Sequence, residues 1–157
     1  MTTVAWDGRT LAADRQVTYG NTRAAGRKLF DCAEYIYAAS GTAFEAELIA
    51  RWLRDGARPS SRVRLEDDEG HRCGIVVQKA DGRAFVAQGR TVVLVGHREA
   101  PLACGSGCDF ALAAMAMGKS AVQAVRFAER FDIYTGLGVD LWRFRERRRV
   151  QPERCAP

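Results

Sequence analysis

The order of strand-like and helical segments is the feature that most constrains the fold of this chain. Short runs rich in β-branched and aromatic residues fill the first 40 positions, and a helical pattern follows them. More strand-like runs lie between residues 74 and 95, followed by two helical segments and a last strand-like run at 139–144. This order differs from the regular strand–helix alternation of a parallel sheet. It favours an α+β fold in which two antiparallel sheets carry helices on their outer faces.

The predicted strands begin at the very start of the sequence. Thr3–Trp6 and Thr10–Asp14 are predicted to form a hairpin, because Asp7-Gly8 between them is typical of a two-residue turn. The terminus then takes part in a sheet, whereas most chain termini are loose. The other predicted strands are 17–22, 28–32, 35–39, 74–78, 84–87 and 91–95.

Three helices are predicted. The first covers 43–55, where Phe44, Leu48 and Trp52 recur every four residues, with Ile49 and Leu53 beside them. The second covers 108–117, and the third begins after Ser120 as its N-cap and reaches about residue 131. The polar stretch 57–72 is predicted to be a connection that adds nothing regular to the core.

Length and composition predict a single domain without a cofactor. The chain has 157 residues, and no apolar run approaches the roughly 20 residues of a membrane span. The start lacks a secretory signal, so we predict a cytoplasmic protein with no membrane contact. The five cysteines form no C-x-x-C pair and only two histidines are present, which favours reduced thiols over a metal site.

The net charge of +5 is concentrated in a basic C-terminal tail, residues 143–157, with the run Arg143–Arg149 at its start. Such runs are usually solvated, so a nucleic-acid partner is not predicted, although binding by the tail remains an alternative. Met117-Gly118-Lys119-Ser120 is similar to the end of a phosphate-binding loop. The glycine that this motif requires is replaced by Ala113, which argues against nucleotide binding.

Thr2 is a candidate nucleophile. It follows Met1, and removal of a methionine that precedes a small residue makes Thr2 the N-terminus. An N-terminal threonine carries its own base, because its α-amino group, with a pKa near 8, can accept the hydroxyl proton. No histidine is then required. Many proteins begin with Met-Thr, so this feature alone is weak.

Five separated blocks strengthen that hypothesis. They are residues 2–6, 11–30 in part (Leu11–Arg15, Val17-Thr18, Gly20–Thr22 and Lys28–Phe30), Gly41–Ala46, Gly105–Gly107 and Asp132–Gly136. The blocks include a glycine turn before the first helix and a serine turn before the next. In this order, and over almost the whole chain, they resemble the proteasome β-subunits and the bacterial HslV peptidase, which are N-terminal-nucleophile hydrolases.

The resemblance implies a catalytic role for seven residues. Thr2 is the nucleophile and its amine is the general base. Lys28, paired with Asp14, lowers the pKa values of the hydroxyl and the amine. The backbone N–H of Gly41 donates to the oxyanion of the tetrahedral intermediate. The network around the terminal amine consists of Ser106, Asp132 and Thr135.

The resemblance also implies how substrate binds. Thr18 and Gly41 hydrogen-bond an extended peptide as an added strand. Val17, Ala39 and Ala43 line the first specificity pocket, and the two alanines indicate that this pocket is roomy and apolar.

The implied architecture is a four-layer αββα sandwich spanning residues 1–157. Family members carry a second helix where 57–72 stands here, so one outer helix is expected to be missing. The implied assembly is a homo-oligomeric ring, stacked in pairs, that hydrolyses peptides or unfolded proteins through an acyl-ester; an ATP-dependent unfoldase partner is left open. Two alternatives remain, namely a ring that acts as a scaffold with little turnover, and an amidohydrolase acting on small amides.

Overall fold

The computed structural model describes residues 2–65, 72–97 and 100–145. Met1, residues 66–71 and most of the predicted basic tail, 146–157, lie outside these ranges. The strands are β1 (Thr3–Trp6), β2 (Thr10–Asp14), β3 (Gln16–Tyr19), β4 (Thr22–Ala25), β5 (Leu29–Cys32), β6 (Tyr35–Ala39), β7 (Arg72–Gln78), β8 (Ala84–Gln88), β9 (Val93–His97), β10 (Leu102–Gly105) and β11 (Val139–Arg143). The α-helices are α1 (Ala43–Arg54), α2 (Cys108–Ala116) and α3 (Ala121–Ala128). None of these helices is long and apolar enough to cross a membrane.

Two antiparallel sheets form the centre of the molecule. The first has the strand order β10-β1-β2-β11, and the second has the order β5-β6-β7-β8-β9. Helices α2 and α3 contact the first sheet, and α1 contacts β5 and β6 of the second. Strands β3 and β4 form a separate hairpin. The predicted αββα sandwich is therefore confirmed.

The two faces of each sheet bury alternate residues, as expected of strands covered on both sides. In β1, Val4 and Trp6 join the core between the sheets, whereas Ala5 joins the core beneath α2 and α3. In β6, Ile36 faces the first sheet and Tyr37 joins the core beneath α1. Small side chains fill the layer beneath α2 and α3, which permits close approach of the helices; they are Ala5, Ala12, Ala103, Ala111, Ala114, Ala121 and Ala124.

The first hairpin differs from the prediction at its turn. The loop between β1 and β2 contains three residues rather than two, so the two-residue turn is wrong. The Asp7 carboxylate accepts hydrogen bonds from the backbone N–H groups of Arg9, at 2.9 Å, and Thr10, at 2.7 Å. This side chain closes the wider loop, which the Asp-Gly pair alone does not indicate.

Helix α1 has the predicted position, and Ile49, Trp52 and Leu53 are buried as predicted. Its start is fixed by a capping box between Thr42 and Glu45. Phe44, predicted to lie on the apolar face, is 71% exposed. The buried positions follow the spacing i, i+3, i+4 and i+7, with Trp52 buried beside them; they are Ala46, Ile49, Ala50 and Leu53.

Two other predicted elements need correction, and one strand was not predicted. Residues 17–22 are not one strand, because the chain turns at Gly20-Asn21 between β3 and β4. The third helix ends at Ala128 instead of 131, since Phe131 N–H bonds the carbonyl of Ala128 three residues earlier and tightens the last turn. Strand β10 was not predicted.

The connection after α1 contributes to the core, contrary to prediction. It contains a short 3₁₀ turn at Pro59–Ser61. Leu65, only 5% exposed, packs in the core beneath α1. Its backbone N–H donates to the carbonyl of Arg90, and the N–H of Val92 donates to that of Val63. These bonds tie the connection to the segment before β9.

Candidate active site

Thr2 lies at the start of β1, against the turn that follows β10. It is 2% exposed. Thr3 pairs with Gly105 in the sheet, and Gly105 has a φ of +92°. A Cβ at this glycine would collide with the Thr2 carbonyl oxygen, so the close approach requires glycine. The Ser106 Oγ atom lies 3.4 Å from the same carbonyl oxygen. The predicted serine turn therefore lies beside the predicted nucleophile.

Asp14 connects the surrounding elements. Asp14 is the last residue of β2, and its side chain is fully buried. One carboxylate oxygen accepts from the Lys28 ammonium and from the Thr3 backbone N–H, both at 2.9 Å. The other accepts from the backbone N–H groups of Gln16 at 2.9 Å and Gly136 at 3.2 Å. Four donors from four segments thus converge on one buried carboxylate, as buried charges require.

Lys28 is the buried cation of the site. Its side chain is 8% exposed and forms an ion pair with Asp14. Burial lowers the pKa of Lys28 below the ordinary lysine value, because desolvation disfavours the ammonium form. The charge and hydrogen bond of Asp14, and then the charge of Asp132, oppose this effect. The protonation state of Lys28 therefore depends on its carboxylate neighbours.

Ser106, Asp132 and Thr135 form a second hydrogen-bonded group next to Thr2. The Asp132 Oδ2 atom accepts from the Ser106 hydroxyl at 2.7 Å and from the Thr135 hydroxyl at 2.6 Å. Its Oδ1 atom accepts from the backbone N–H of Tyr134 at 3.1 Å, which shapes the loop after α3. Asp132 and Thr135 are both buried.

A cleft of about 370 Å³ opens beside Thr2 and Lys28. The other predicted catalytic side chains (Asp14, Ser106, Asp132 and Thr135) lie behind these two and are connected to them by the hydrogen bonds above. All five residues predicted to bind substrate line the cleft: Val17, Thr18, Ala39, Gly41 and Ala43. Its remaining walls are formed by Gln16, Tyr19, Arg27, Phe30, Thr42 and Ala46.

Gly41 occupies the glycine turn at the edge of this cleft. Its φ of +112° favours glycine strongly. A Cβ there would lie 3.0 Å from the Glu45 carboxylate. That carboxylate accepts from the Thr42 backbone N–H at 3.0 Å and from the Thr42 hydroxyl at 2.9 Å. These bonds hold the turn to the start of α1. Gly41 itself is exposed and lines the cleft, so its backbone is accessible there.

Solved structures with the same architecture include three structures of two proteasome-like proteins. BPH from Thiobacillus denitrificans in complex with epoxomicin aligns with a TM-score of 0.68 and 19% identity, covering 92% of this chain and 100% of that chain. A further structure of the same BPH gives a TM-score of 0.66 and 17% identity, covering 90% and 95%. Eukaryotic HslV from Trypanosoma brucei gives 0.59 and 20% identity, covering 90% and 97%.

The chain has the HslV-type fold. No protein-family model matches the sequence, and no curated protein matches it either. At identities of 20% or less, the likeness establishes the architecture, while the role of each residue in this HslV-type chain has to be argued from its own geometry.

Sequence reasoning missed several residues that contact the site of this HslV-type structure. Gln16 is 1% exposed, and its side-chain amide donates to the Ile133 carbonyl at 2.8 Å. Thr3 and Ser40 are also buried there. One signal was available: Gln16 stands two positions after Asp14 in an extended chain, which places both side chains on one face.

Proposed function

We propose that this chain is a threonine-type peptidase in which Thr2, carrying a free α-amino group, attacks peptide carbonyls. One observation carries the proposal. Thr2 lines a cleft together with Lys28, whose ammonium is paired with the fully buried Asp14. A hydroxyl, a cation and an amine on the hydroxyl's own residue are the parts that an N-terminal nucleophile needs.

The amine of Thr2 accepts the hydroxyl proton as the Oγ1 atom attacks the carbonyl carbon. The tetrahedral oxyanion collapses, the peptide C–N bond breaks, and the ammonium returns its proton to the leaving amine. The product is an acyl-ester on Thr2. Water then attacks this ester, with the Thr2 amine again acting as base, and releases the carboxylic acid and free threonine hydroxyl.

Lys28 favours the first step electrostatically. A positive charge beside Thr2 attracts the developing alkoxide and so stabilises it. The same charge repels a protonated amine, which keeps the neighbouring α-amino group neutral. The Lys28 and Asp14 side chains are 8% and 1% exposed, so water screens this interaction weakly. The backbone N–H of Gly41 is the proposed donor to the oxyanion.

The substrate is an extended peptide segment. Thr18 and Gly41 stand at the cleft and would bind its backbone as an added strand. The side chain before the cleaved bond would enter the space among Val17, Ala39 and Ala43. Because these side chains are small and apolar, we expect tolerance of large apolar residues at this position.

We extend the proposal to assembly as a ring of identical subunits, stacked in pairs, with an unfoldase as a further partner. The HslV-type fold supports it. So do large apolar side chains that the single subunit leaves exposed, including Phe44 at 71%, Phe131 at 55% and Ile133 at 74%. A closed chamber would confine a peptidase of broad specificity. Native mass spectrometry gives the subunit number.

Replacement of Thr2 tests the proposal most directly. Thr2→Ala removes the hydroxyl and keeps a small residue that permits the same processing, so turnover of a fluorogenic peptide should fall by a factor of roughly 10³ or more. Thr2→Ser retains a hydroxyl and should retain measurable turnover. Thr91→Ala, an exposed threonine outside the site, is the matched control. Wild-type turnover by Thr2→Ala would refute the assignment.

Labelling separates a peptidase from a ring that only serves as a scaffold. Epoxomicin should attach to Thr2 in protein whose intact mass shows Thr2 as the first residue. Processed protein that gains no adduct and cleaves no peptide supports the scaffold. Cleavage of unfolded casein as well as short peptides supports the peptidase, whereas hydrolysis of small amides alone supports the amidohydrolase.

A further inference from the structure

Thr3 is buried next to the site without lining the cleft. It is the first residue of β1 and has no exposed surface. Its backbone N–H donates to Asp14 Oδ1 at 2.9 Å, the same oxygen that accepts from Lys28. Its hydroxyl contacts the hydroxyl of Thr135. One residue thus touches both hydrogen-bonded groups of the candidate site.

The direction of the hydroxyl contact follows from proton counting. A carboxylate can only accept hydrogen bonds, so Thr135 uses its single proton on Asp132 Oδ2, at 2.6 Å. The Thr135 oxygen must therefore accept from Thr3, and Thr3 is the donor. The result is a chain of donors, from Thr3 to Thr135 to Asp132, that ends on a charge and reinforces each bond within it.

The Thr3 hydroxyl lies close against the backbone of Gly107. A Cβ added at Gly107 would collide with this hydroxyl and would lie 3.1 Å from Asp132 Oδ2. Gly107 follows Ser106, whose hydroxyl donates to Asp132 and lies close to the Thr2 carbonyl oxygen. The hydroxyl therefore fills a slot bounded by the serine turn and by the loop carrying Asp132 and Thr135.

We propose that Thr3 is a positioning residue that joins the Asp14–Lys28 pair to the Ser106–Asp132–Thr135 group and so fixes Thr2 relative to both. This inference rests on the proposed peptidase function. Thr3 acts through its neighbours and makes no contact with substrate, because it lies outside the cleft-lining residues. Loss of its hydroxyl should misplace the reacting groups while leaving peptide binding intact.

Thr3→Val tests this role, since valine keeps the branched shape and removes the donor. We expect kcat for a fluorogenic peptide to fall roughly 10- to 100-fold, the loss associated with one hydrogen bond in a chain ending on a charge. KM should change by less than about twofold, and the rate of epoxomicin labelling should fall with kcat. Thr3→Ser keeps the donor and should restore most of kcat.

Thr91→Val is the matched control, because it makes the same replacement at an exposed threonine and should leave kcat unchanged. Intact mass must show that every variant begins at Thr2. Wild-type kcat and labelling in Thr3→Val would overturn the positioning role, as would a loss seen only in KM. If Thr3→Val does not fold, Thr3→Cys supplies a weaker donor of similar size, and full kcat in that variant would overturn the role.

The two proposals fail differently. If wild-type protein that starts at Thr2 shows neither turnover nor an adduct, the proposed peptidase function is refuted, and the positioning role of Thr3 is refuted as well. Active wild-type protein with an equally active Thr3→Val variant refutes only the role of Thr3.

Discussion

Asp14→Asn should destabilise the folded protein strongly and in a pH-dependent way. The change keeps the shape of the side chain but removes the charge that four donors surround. It also replaces one carboxylate oxygen by an amide N–H₂ group, which faces donors instead of accepting from them. The Lys28 side chain, which is 8% exposed, then keeps its charge in a buried position without the counter-charge of Asp14.

The magnitude follows from the cost of breaking a buried ion pair. Removal of one partner of such a pair lowers the free energy of unfolding by about 3–5 kcal/mol. For a chain of this size, 1 kcal/mol corresponds to a shift of about 2–4 °C in Tm. We therefore expect a fall in Tm of roughly 6–20 °C at neutral pH and fixed subunit concentration.

The sign of the pH dependence comes from Lys28. Burial already lowers its pKa, and Asp14 opposes that effect, so Asp14→Asn should lower the pKa further. Between this lowered value and the ordinary lysine value near 10.4, the unfolded chain binds more protons than the folded one. The free energy of unfolding of the variant should rise with pH through that window, because Lys28 is neutral in the folded state and still protonated in the unfolded state. The deficit relative to wild type should be largest at lower pH and shrink towards pH 10.

The assay is thermal unfolding from pH 7 to pH 10, with Asp31→Asn as the matched control. Asp31 also pairs with a lysine, Lys79, but its side chain is 74% exposed. A surface pair of this kind contributes under about 1 kcal/mol. The double variant Asp14→Asn/Lys28→Met removes both charges and should recover part of the loss. Equal Tm shifts in the two single Asp→Asn variants, or a deficit that grows with pH, would refute the reasoning.

Two further predictions concern a glycine and a thiol. Gly105→Ala places a Cβ against the Thr2 carbonyl and should abolish peptide turnover and lower Tm. Gly96→Ala is the control and should do neither, because its nearest neighbours are Phe85 ring atoms at 3.6 Å or more. An active Gly105→Ala variant would contradict the geometry. Burial raises the pKa of Cys32 to about 11, so Cys32 should react slowly with iodoacetamide at pH 8. The half-buried Cys108 should be modified first. Peptide mass mapping checks this order, and equal rates at the two cysteines would contradict it.

The fold was predictable where local pattern and packing agree. Strands β1, β2 and β6 alternate between two buried faces, and Ser120 caps α3 as predicted. Strand β10 was missed because Leu102–Gly105 is only four residues long and contains small residues without a clear β pattern. The prediction for α1 was right at Ile49, Trp52 and Leu53 and wrong at Phe44, because large side chains were weighted above alanine. Ala46 and Ala50 are buried, while Phe44 faces outward.

The site was predictable only in part, for a physical reason. Asp14 and Lys28 are 14 positions apart, and spacing alone does not indicate an ion pair; the resemblance indicated it, and the structure brings the two side chains to 2.9 Å. None of the motifs assigned a role to Thr3 or Gln16. Their importance arises from contacts with the loop 132–136, more than 100 positions away in sequence, which only the folded chain reveals.

The topology of the first sheet explains why the candidate nucleophile stands at the start of the first strand. Strand β1 lies between β10 and β2, and both neighbours are antiparallel to it. The start of β1 therefore lies beside the ends of the other two strands, where Gly105 and Asp14 are found. Thr2 is held from both sides by these ends, while Lys28, just before β5, approaches from the second sheet. The role proposed for Thr2 requires that the segment carrying it be ordered, and the central position of β1 in the first sheet provides that order.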